Sequence, residues 1–209
     1  MKEKEVWIEG VQELALLYPE EIRFLSNLVT KTNDKKGIIV DIGTFKGGSS
    51  ISLAMGIMQA GLKDKVYTVD NYKKFFYDEN ENTEDDDEWG INGKIRSCFL
   101  QNVKTFGLED YIVPVFADST EFLKNNTSDI KFMFYDGSIM TNKVKEDLVL
   151  MAPKMVAGSY ICLHDFHDVE IYGGNVKEAV DEFLIEHPEF AFVGKLGETG
   201  IVKKMEETK

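Results

Sequence analysis

Residues 39–50 read IVDIGTFKGGSS, an apolar run that contains one aspartate and then gives way to glycine and serine. The branched residues predict a buried β-strand, and the glycines predict a tight turn into a helix that begins at about Gly48. Such a turn lets ligand atoms approach the backbone, and the N–H groups at the start of the helix favour an anionic group. The stretch therefore predicts a strand–turn–helix ligand site with Asp41 beside it.

The spacing of the glycines argues against two classes of nucleotide site. A dinucleotide fingerprint reads G-x-G-x-x-G, whereas Gly43 to Gly47 reads G-x-x-x-G. A phosphate-binding loop would need Gly-Lys-Ser/Thr where this chain has Gly47-Gly48-Ser49. A purely structural turn would also explain such a stretch. The residues at the ends of the other strands must therefore distinguish a ligand site from a structural turn.

The rest of the chain alternates between strand and helix patterns. Strands are predicted at Gly37–Ile42, Lys65–Asp70, Tyr111–Phe116, Lys131–Asp136 and Met155–Leu163, with a hairpin over residues 190–204. Helices are predicted at Gly48–Ala60, Ile91–Phe106, Ser119–Asn125 and Asn142–Met151, and from an Asn175–Glu178 capping box to Pro188. Before the first strand, one or two helices split at Pro19 are expected to lie over the sheet or the site. The alternation predicts an α/β fold with a mostly parallel sheet between helices.

The composition of the chain limits which binding partners and which cellular location are compatible with it. A chain of 209 residues suits one domain, and a net charge of -13 would repel nucleic acid. We find no apolar run long enough to cross a membrane and no secretion signal, which predicts a cytoplasmic location. Cys98 and Cys162 lie in apolar segments and are predicted to be two buried thiols. The oligomeric state stays open, and a homo-oligomer is compatible with the sequence.

One segment breaks the alternation. Residues 78–88 read DENENTEDDDE, in which eight of eleven residues are acidic. Such a density of like charge is typical of a solvated loop. The alternative is a lid, because the segment follows the second strand, at whose carboxyl end ligands of such sheets bind.

Four successive strands end in or near an acid. Asp41, Asp70, Asp118 and Asp136 each suit a helix cap or a turn when taken alone. Together they predict one crevice at the carboxyl ends of parallel strands. In that crevice Asp70 is suited to pairing ribose hydroxyls, and Asp118 with Ser119 is suited to accepting the amino group of adenine.

The motifs VDIGTFKGGSS, VYTVDNY, ADSTEFL and FMFYDG resemble, in this order, those of class I S-adenosylmethionine-dependent methyltransferases. The resemblance covers about residues 36–204. The form G-T-x-x-G-x-S-S and the later His-Asp pair are similar to small-molecule O-methyltransferases of the macrocin sugar type and, more distantly, the catechol type. The resemblance implies a Rossmann-like seven-stranded sheet with helices on both faces and an antiparallel last strand near Gly200–Lys204. It also implies a single methyltransferase domain over residues 1–209, with N-terminal helices over 1–35, a core over 36–204 and the acidic insert 72–90.

The resemblance further implies that S-adenosylmethionine is the cofactor. It places the methionine part against Asp41, Gly43, Thr44 and Gly47, the ribose on Asp70, and the adenine beside Asp118 and Ser119. The full set of predicted cofactor-binding residues is Asp41, Gly43, Thr44, Phe45, Gly47, Ser49, Asp70, Asn71, Asp118, Ser119 and Asp136.

The fifth strand ends in ICLHDFHD, which supplies candidates for the chemistry. If the fourth and fifth strands are neighbours, Asp136, Asp165 and His164 can converge on one divalent cation, Mg²⁺ or Mn²⁺. The predicted catalytic residues are His164, His167 and Asp165, with His164 either a ligand or a general base and His167 the alternative base. A polar loop with one structural histidine would also explain this motif. Sugar-modifying relatives often carry a histidine shortly after the Asp-Gly of the fourth strand, and this chain has Ser138-Ile139-Met140 there.

The leading interpretation is methyl transfer to a hydroxyl of a small molecule, such as a sugar or a phenol, assisted by a divalent cation. A non-catalytic protein that binds S-adenosylmethionine or S-adenosylhomocysteine is the first alternative. A nucleotide-dependent oxidoreductase is the second, and the missing dinucleotide fingerprint counts against it.

Overall fold

The computed structural model describes residues 6–72, 94–170 and 173–206 of the chain. The acidic stretch 78–88 lies outside the described residues, and so does nearly all of the predicted insert 72–90. The choice between a solvated loop and a lid therefore stays a prediction.

Seven strands form one sheet in the order β3-β2-β1-β4-β5-β7-β6. Strands β1 to β5 run parallel to one another, whereas β7 runs antiparallel to both β5 and β6. The predicted Rossmann-like sheet and its terminal hairpin are thereby confirmed. The order reverses between β1 and β4, and ligands of such sheets bind at the crevice that this reversal opens. The strands are β1 Ile38–Ile42, β2 Val66–Val69, β3 Ile112–Val115, β4 Ile130–Tyr135, β5 Met155–Leu163, β6 Phe190–Leu196 and β7 Thr199–Lys204.

The helices begin and end close to the predicted residues, except that the predicted helix start at Ile91 lies outside the described residues. Short 3₁₀ segments follow α2, at Val29–Thr32, and α6, at Ala152–Lys154. Asn175 caps α7 as predicted, since its side chain accepts from the N–H of Glu178 at 3.0 Å. The reciprocal half of the capping box is wrong, because the N–H of Asn175 donates to the Thr141 hydroxyl instead. The helices are α1 Val6–Gln12, α2 Pro19–Leu28, α3 Gly48–Gln59, α4 Lys94–Thr105, α5 Ser119–Asn125, α6 Thr141–Met151 and α7 Val176–Glu186.

Two apolar layers cover the two faces of the sheet. One contains side chains of α1 to α4, and the other contains side chains of α5 to α7. Neighbouring residues of one strand divide between them: Phe132 and Phe134 belong to the first layer, and Met133 and Tyr135 to the second. This is the two-residue alternation of a β-strand, and every residue of β4 is buried, including Lys131, whose Nζ donates to Asp64 at 2.7 Å.

The N-terminal helices pack mainly on α3, and α2 also reaches β7 through Glu21, which accepts from the hydroxyl of Thr199. Ten successive residues of α3, from Gly48 to Ile57, are buried. A Cβ on Gly56 would lie 2.0 Å from the carbonyl oxygen of Ser26, and one on Gly48 would lie 2.1 Å from the Cβ of Ala15. Glycine at these positions lets the backbones approach closely, and α3 is therefore an inner helix covered from outside.

The prediction of two buried thiols is half wrong. Cys162 is buried within β5, but Cys98 is exposed, and both thiols are free. Cys98 lies on α4 beside the buried Phe99, and the helical turn places it on the outer side. No helix of the described ranges has the length and apolar character that a bilayer crossing requires.

Candidate active site

The turn after β1 is shaped for close approach of the backbone. Gly43 and Gly47 adopt φ angles of 83° and 98°, in the left-handed region that glycine enters without strain. A Cβ on Gly43 would lie 2.1 Å from the carbonyl oxygen of Asp136. The N–H of Gly43 donates to the carbonyl oxygen of Val69 at 2.9 Å. The turn therefore contacts the ends of β2 and β4 together.

Asp41 is a fully buried carboxyl that holds the start of α3. Its Oδ2 accepts hydrogen bonds from the hydroxyl of Ser49, at 2.9 Å, and from that of Ser50, whereas its Oδ1 is buried with no hydrogen-bond partner among the described residues. Burial raises the pKa of Asp41 to about 7, although the two serine hydroxyls oppose the shift. An unpartnered buried carboxylate oxygen suits a cationic donor such as the ammonium group of methionine. The hydroxyl of Ser49, a predicted cofactor contact, is already engaged by Asp41.

Asp70 links the end of β2 to the turn after β1. Its Oδ2 accepts from the N–H of Phe45 at 3.0 Å, and its Oδ1 accepts from the N–H of Tyr72 at 2.7 Å. The hydroxyls of Thr44 and Tyr72 are 2.8 Å apart. Burial raises the pKa of Asp70, and these backbone hydrogen bonds partly offset the rise. Thr44 also hydrogen-bonds this carboxylate, so the ribose contact stays a prediction, and Asn71 is exposed beside it.

Asp118 and Ser119 follow β3 at the same edge of the sheet. Asp118 caps α5 by accepting from the N–H of Thr120 at 2.9 Å. Ser119 donates instead to the buried Asp147 at 2.6 Å and lies 2.7 Å from Nζ of Lys143. The Ser119 hydroxyl therefore faces α6, which leaves the carboxylate of Asp118 as the better adenine contact. Lys143 and Asp147 were not identified from the sequence, although their four-residue spacing on one helix is the signal of such a pair.

An aromatic surface beside Asp118 was also missed. The ring of Phe116 is 41% exposed. The guanidinium of Arg96 stacks 3.5 Å from its centroid, and the ring of Tyr72 lies 5.9 Å away. Such a surface suits a flat heterocycle. Its signal in the sequence is a single aromatic residue directly after a strand.

At the ends of β4 and β5, three predicted residues come together. The Nδ1 of His164 lies 3.7 Å from Asp136 Oδ1 and 3.6 Å from Asp165 Oδ1. One ligand atom from each of the three residues falls within 4.8 Å of the others. This convergence follows from topology, because β4 and β5 are neighbours and pair Tyr135 with Leu163. Asp165 has a φ of 54°, a left-handed backbone conformation in which aspartate occurs more readily than most residues.

The opposite nitrogen of His164 faces two further acids. Nε2 is buried without a hydrogen-bond partner among the described residues, and it lies 4.0 Å from both Glu21 Oε2 and Glu198 Oε2. Burial alone would lower the pKa of His164, but Asp136, together with Asp165 and Glu21, outweighs it and raises the pKa to about 9. His164 is therefore a cation at neutral pH between two pairs of carboxylates.

Glu21 was not identified from the sequence. It is fully buried in α2, where Oε2 accepts from the N–H of Tyr18 at 2.9 Å. Its Oε1 accepts from the N–H of Glu198 at 2.9 Å and from the hydroxyl of Thr199 at 2.8 Å. Glu21 and Thr199 are 178 residues apart in sequence, so no local pattern could pair them.

His167 lies at the edge of the same group of side chains. Its Nε2 is 3.9 Å from Asp165 Oδ1 and 3.8 Å from Glu198 Oε2. The three predicted catalytic residues, His164, His167 and Asp165, are thus brought into one group, joined by Glu198 from the β6–β7 turn. The group is next to the glycine turn, because Gly43 contacts the backbone of Asp136. The arrangement can bind a cation, hold an acceptor hydroxyl or accept its proton.

Comparison with known proteins gives one family match. A family model described as "Methyltransferase domain" matches residues 40–166. Among curated proteins, none matches the sequence.

Several solved structures share the fold. One, described as "Structure of the O-methyltransferase NovP", has a TM-score of 0.73 and 15% identity, and the match covers 92% of this chain and 83% of that one. An O-methyltransferase from Bacillus cereus in complex with SAH has a TM-score of 0.64, 16% identity, and coverage of 98% and 90%. The O-methyltransferase TomG from Streptomyces achromogenes, in complex with SAM, has a TM-score of 0.63, 14% identity, and coverage of 92% and 82%.

Proposed function

Because the chain belongs to the family of methyltransferase domains, we propose that it transfers the methyl group of S-adenosylmethionine to a hydroxyl of a small molecule, with a divalent cation assisting. Membership confirms the resemblance to class I S-adenosylmethionine-dependent methyltransferases and the interpretation as an enzyme. The class of acceptor, a sugar or a phenol, and the cation belong to the proposal. The main observation in its support is the convergence of Asp136, His164 and Asp165 beside the glycine turn.

The cofactor supplies an electrophilic methyl group on a sulfonium. The residues of the β1 turn fit its amino-acid end, because the left-handed Gly43 and Gly47 leave backbone room and Asp41 offers an unpartnered buried oxygen. Asp70 suits the ribose, since its carboxylate is fixed by two backbone N–H groups at the carboxyl end of β2. Phe116 and Asp118 suit the adenine.

The donor set at the β4 and β5 ends fits a divalent cation. Two carboxylates and an imidazole nitrogen within 4.8 Å of one another are ligands that Mg²⁺ or Mn²⁺ accepts. A bound cation would lower the pKa of a coordinated hydroxyl and hold it in place. Asp136 and Asp165 carry like charges here, and Asp165 adds to the rise that burial causes in the pKa of Asp136. Positive charge between the two acids is therefore favoured.

The acceptor hydroxyl must also lose a proton. Without a bound cation His164 is protonated at neutral pH, since its pKa is raised to about 9, and a bound cation would take up the lone pair of its neutral ring, so in neither state is this nitrogen free to accept a proton. His167 is partly exposed at the rim of the group, where it can meet a ligand. We therefore assign the proton acceptor to His167 and an orienting role to His164.

Calorimetry and a turnover assay test the proposal in sequence. We expect S-adenosylhomocysteine to bind, and labelled methyl groups to pass from S-adenosylmethionine to members of a panel of sugars and phenols. Binding without transfer to any hydroxyl would favour the non-catalytic alternative.

The cation is tested with Asp136→Asn, with Asp168→Asn as a control because Asp168 is exposed beyond the site. We expect Asp136→Asn to keep S-adenosylhomocysteine affinity within a few-fold and to abolish cation-dependent turnover. Full turnover by that variant in the presence of a chelator would refute the role of the cation.

A further inference from the structure

A second group of ligand atoms lies beside the first, on the side of the β6–β7 hairpin. Asp165, His167 and Glu198 each offer one ligand atom, and these atoms lie within 4.8 Å of one another. We propose that these three residues bind a second divalent transition-metal ion, next to the position formed by Asp136, His164 and Asp165. Ion binding here depends on side chains alone and does not rest on the proposed methyl acceptor.

The separations fit a single ion. Ligands about 2.1 Å from an ion are about 3.0 Å apart at right angles and about 4.2 Å apart on opposite sides. His167 Nε2 is 3.9 Å from Asp165 Oδ1 and 3.8 Å from Glu198 Oε2, which lies between these limits. One imidazole with two carboxylates is a donor set suited to Mn²⁺ or Zn²⁺.

The backbone holds the three residues in place. Phe166 is buried between Asp165 and His167, and its ring stacks on Phe192 at 5.2 Å. Its N–H donates to the carbonyl oxygen of Glu198 at 2.9 Å, which joins the loop after β5 to the hairpin turn. With Phe166 fixed inward, its two neighbours reach the carboxylate of Glu198. The ligands are therefore largely positioned before an ion arrives.

The charge of the surroundings favours a cation. Within the described ranges, the ion pairs of Asp165 and Glu198 are with the two histidines. Lys195 donates to the carbonyl oxygen of Phe166 and makes no ion pair with these acids in that part of the chain. Excess negative charge at a partly buried position is relieved by a bound ion.

An independent observation points to an occupant of this space. His164 is 4% exposed, and its Nε2 has no hydrogen-bond partner among the described residues. This nitrogen faces Glu198 Oε2 at 4.0 Å, too far for a hydrogen bond. A buried ring nitrogen left unpaired is unfavourable, so a group that fills and organises this space is expected.

Occupancy would also decide what His167 does. A ring nitrogen that binds an ion cannot accept a proton at the same time. On the basis of the proposed function, a high concentration of Mn²⁺ would therefore reduce turnover that a lower concentration supports.

The test counts Mn²⁺ ions per chain by electron paramagnetic resonance on the full chain. We expect two ions for the unaltered protein. Glu198→Gln should leave one ion and keep the first site, whereas Asp136→Asn should also leave one ion but keep the second. Asp165→Asn should weaken both, since both sites share Asp165.

Glu189→Gln is the matched control. Glu189 pairs with His187 at 3.3 Å in the connection between α7 and β6, and the described residues offer no third ligand there. It should therefore leave the count at two, and thermal unfolding would confirm that every variant is folded. One ion that is weakened by both Glu198→Gln and Asp136→Asn, or a count that Glu198→Gln leaves unchanged, would overturn the second site. If the unaltered protein binds one ion, and Asp136→Asn removes it but Glu198→Gln does not, the second site is refuted while the proposed function stands.

Discussion

The buried carboxyl of Asp41 should make the stability of the protein depend on pH in an unusual direction. Its pKa is about 7 in the folded chain, against 3.8 for the ordinary group. The folded state therefore keeps a proton that the unfolded state has lost between these two values. Stability should fall as the pH rises from about 4 to 7, and the loss is complete above the folded pKa.

The magnitude follows from the same shift. Each pKa unit corresponds to about 1.4 kcal/mol, so the full effect is about 4 kcal/mol, of which about 3 kcal/mol falls between pH 5 and pH 8. Asp41→Asn removes the ionisation and keeps an oxygen that can accept from Ser49 or Ser50. The free energy of unfolding of the unaltered protein, minus that of the variant, should therefore decrease by about 3 kcal/mol over this range.

Urea unfolding at several pH values, with the cofactor absent, measures this difference. Subtracting the variant removes the titration of every other group that the substitution leaves unchanged. Asp168→Asn serves as a control for the change of a carboxylate to an amide at an exposed position. A flat difference for Asp41→Asn, or one that rises with pH, would refute the argument that burial dominates at this carboxyl.

Three further predictions concern the cofactor site, the packing of α3 and the buried carboxylate of Glu21. Asp70→Ala should weaken S-adenosylhomocysteine binding at least tenfold by calorimetry, and unchanged affinity would remove the ribose assignment. Gly56→Ala should lower the free energy of unfolding by about 2 kcal/mol, because its Cβ would meet the carbonyl oxygen of Ser26 at 2.0 Å. Gly61→Ala, with open space but a left-handed backbone, should lower it by only about 1 kcal/mol, and equal effects would contradict the close packing. Glu21→Ala should lower it by about 3 kcal/mol in urea, since three donors lose their acceptor, whereas Glu21→Gln should do less.

The sheet was predictable because each strand carries its own signal. Strands such as β4 are buried on both faces and read as nearly continuous apolar runs, interrupted in β4 by Lys131, and parallel strands need helical crossovers between them. The acids were predictable for a related reason. Parallel strands bring their carboxyl ends to one edge, so Asp41, Asp70, Asp118 and Asp136 meet there although they are far apart in the chain.

What escaped prediction depends on contacts between distant segments. Glu21 has an ordinary place in the first turn of α2, and Glu198 has an ordinary place in a turn, yet the two meet beside His164. The role of Ser119 was equally hidden, because its hydroxyl turns to Asp147 on α6. Nothing in the sequence around these residues distinguishes them from solvent-exposed polar residues.

The position of α3 as an inner helix has a consequence for dividing the chain. A fragment that begins at residue 36 would keep every strand of the sheet but would uncover the apolar outer side of α3. It would also remove Glu21, which accepts hydrogen bonds from Glu198 and Thr199. These two residues lie next to those proposed to bind the methyl-accepting molecule. The first two helices therefore belong to the smallest unit that we expect to fold and turn over, and trimming them should give an insoluble or inactive product.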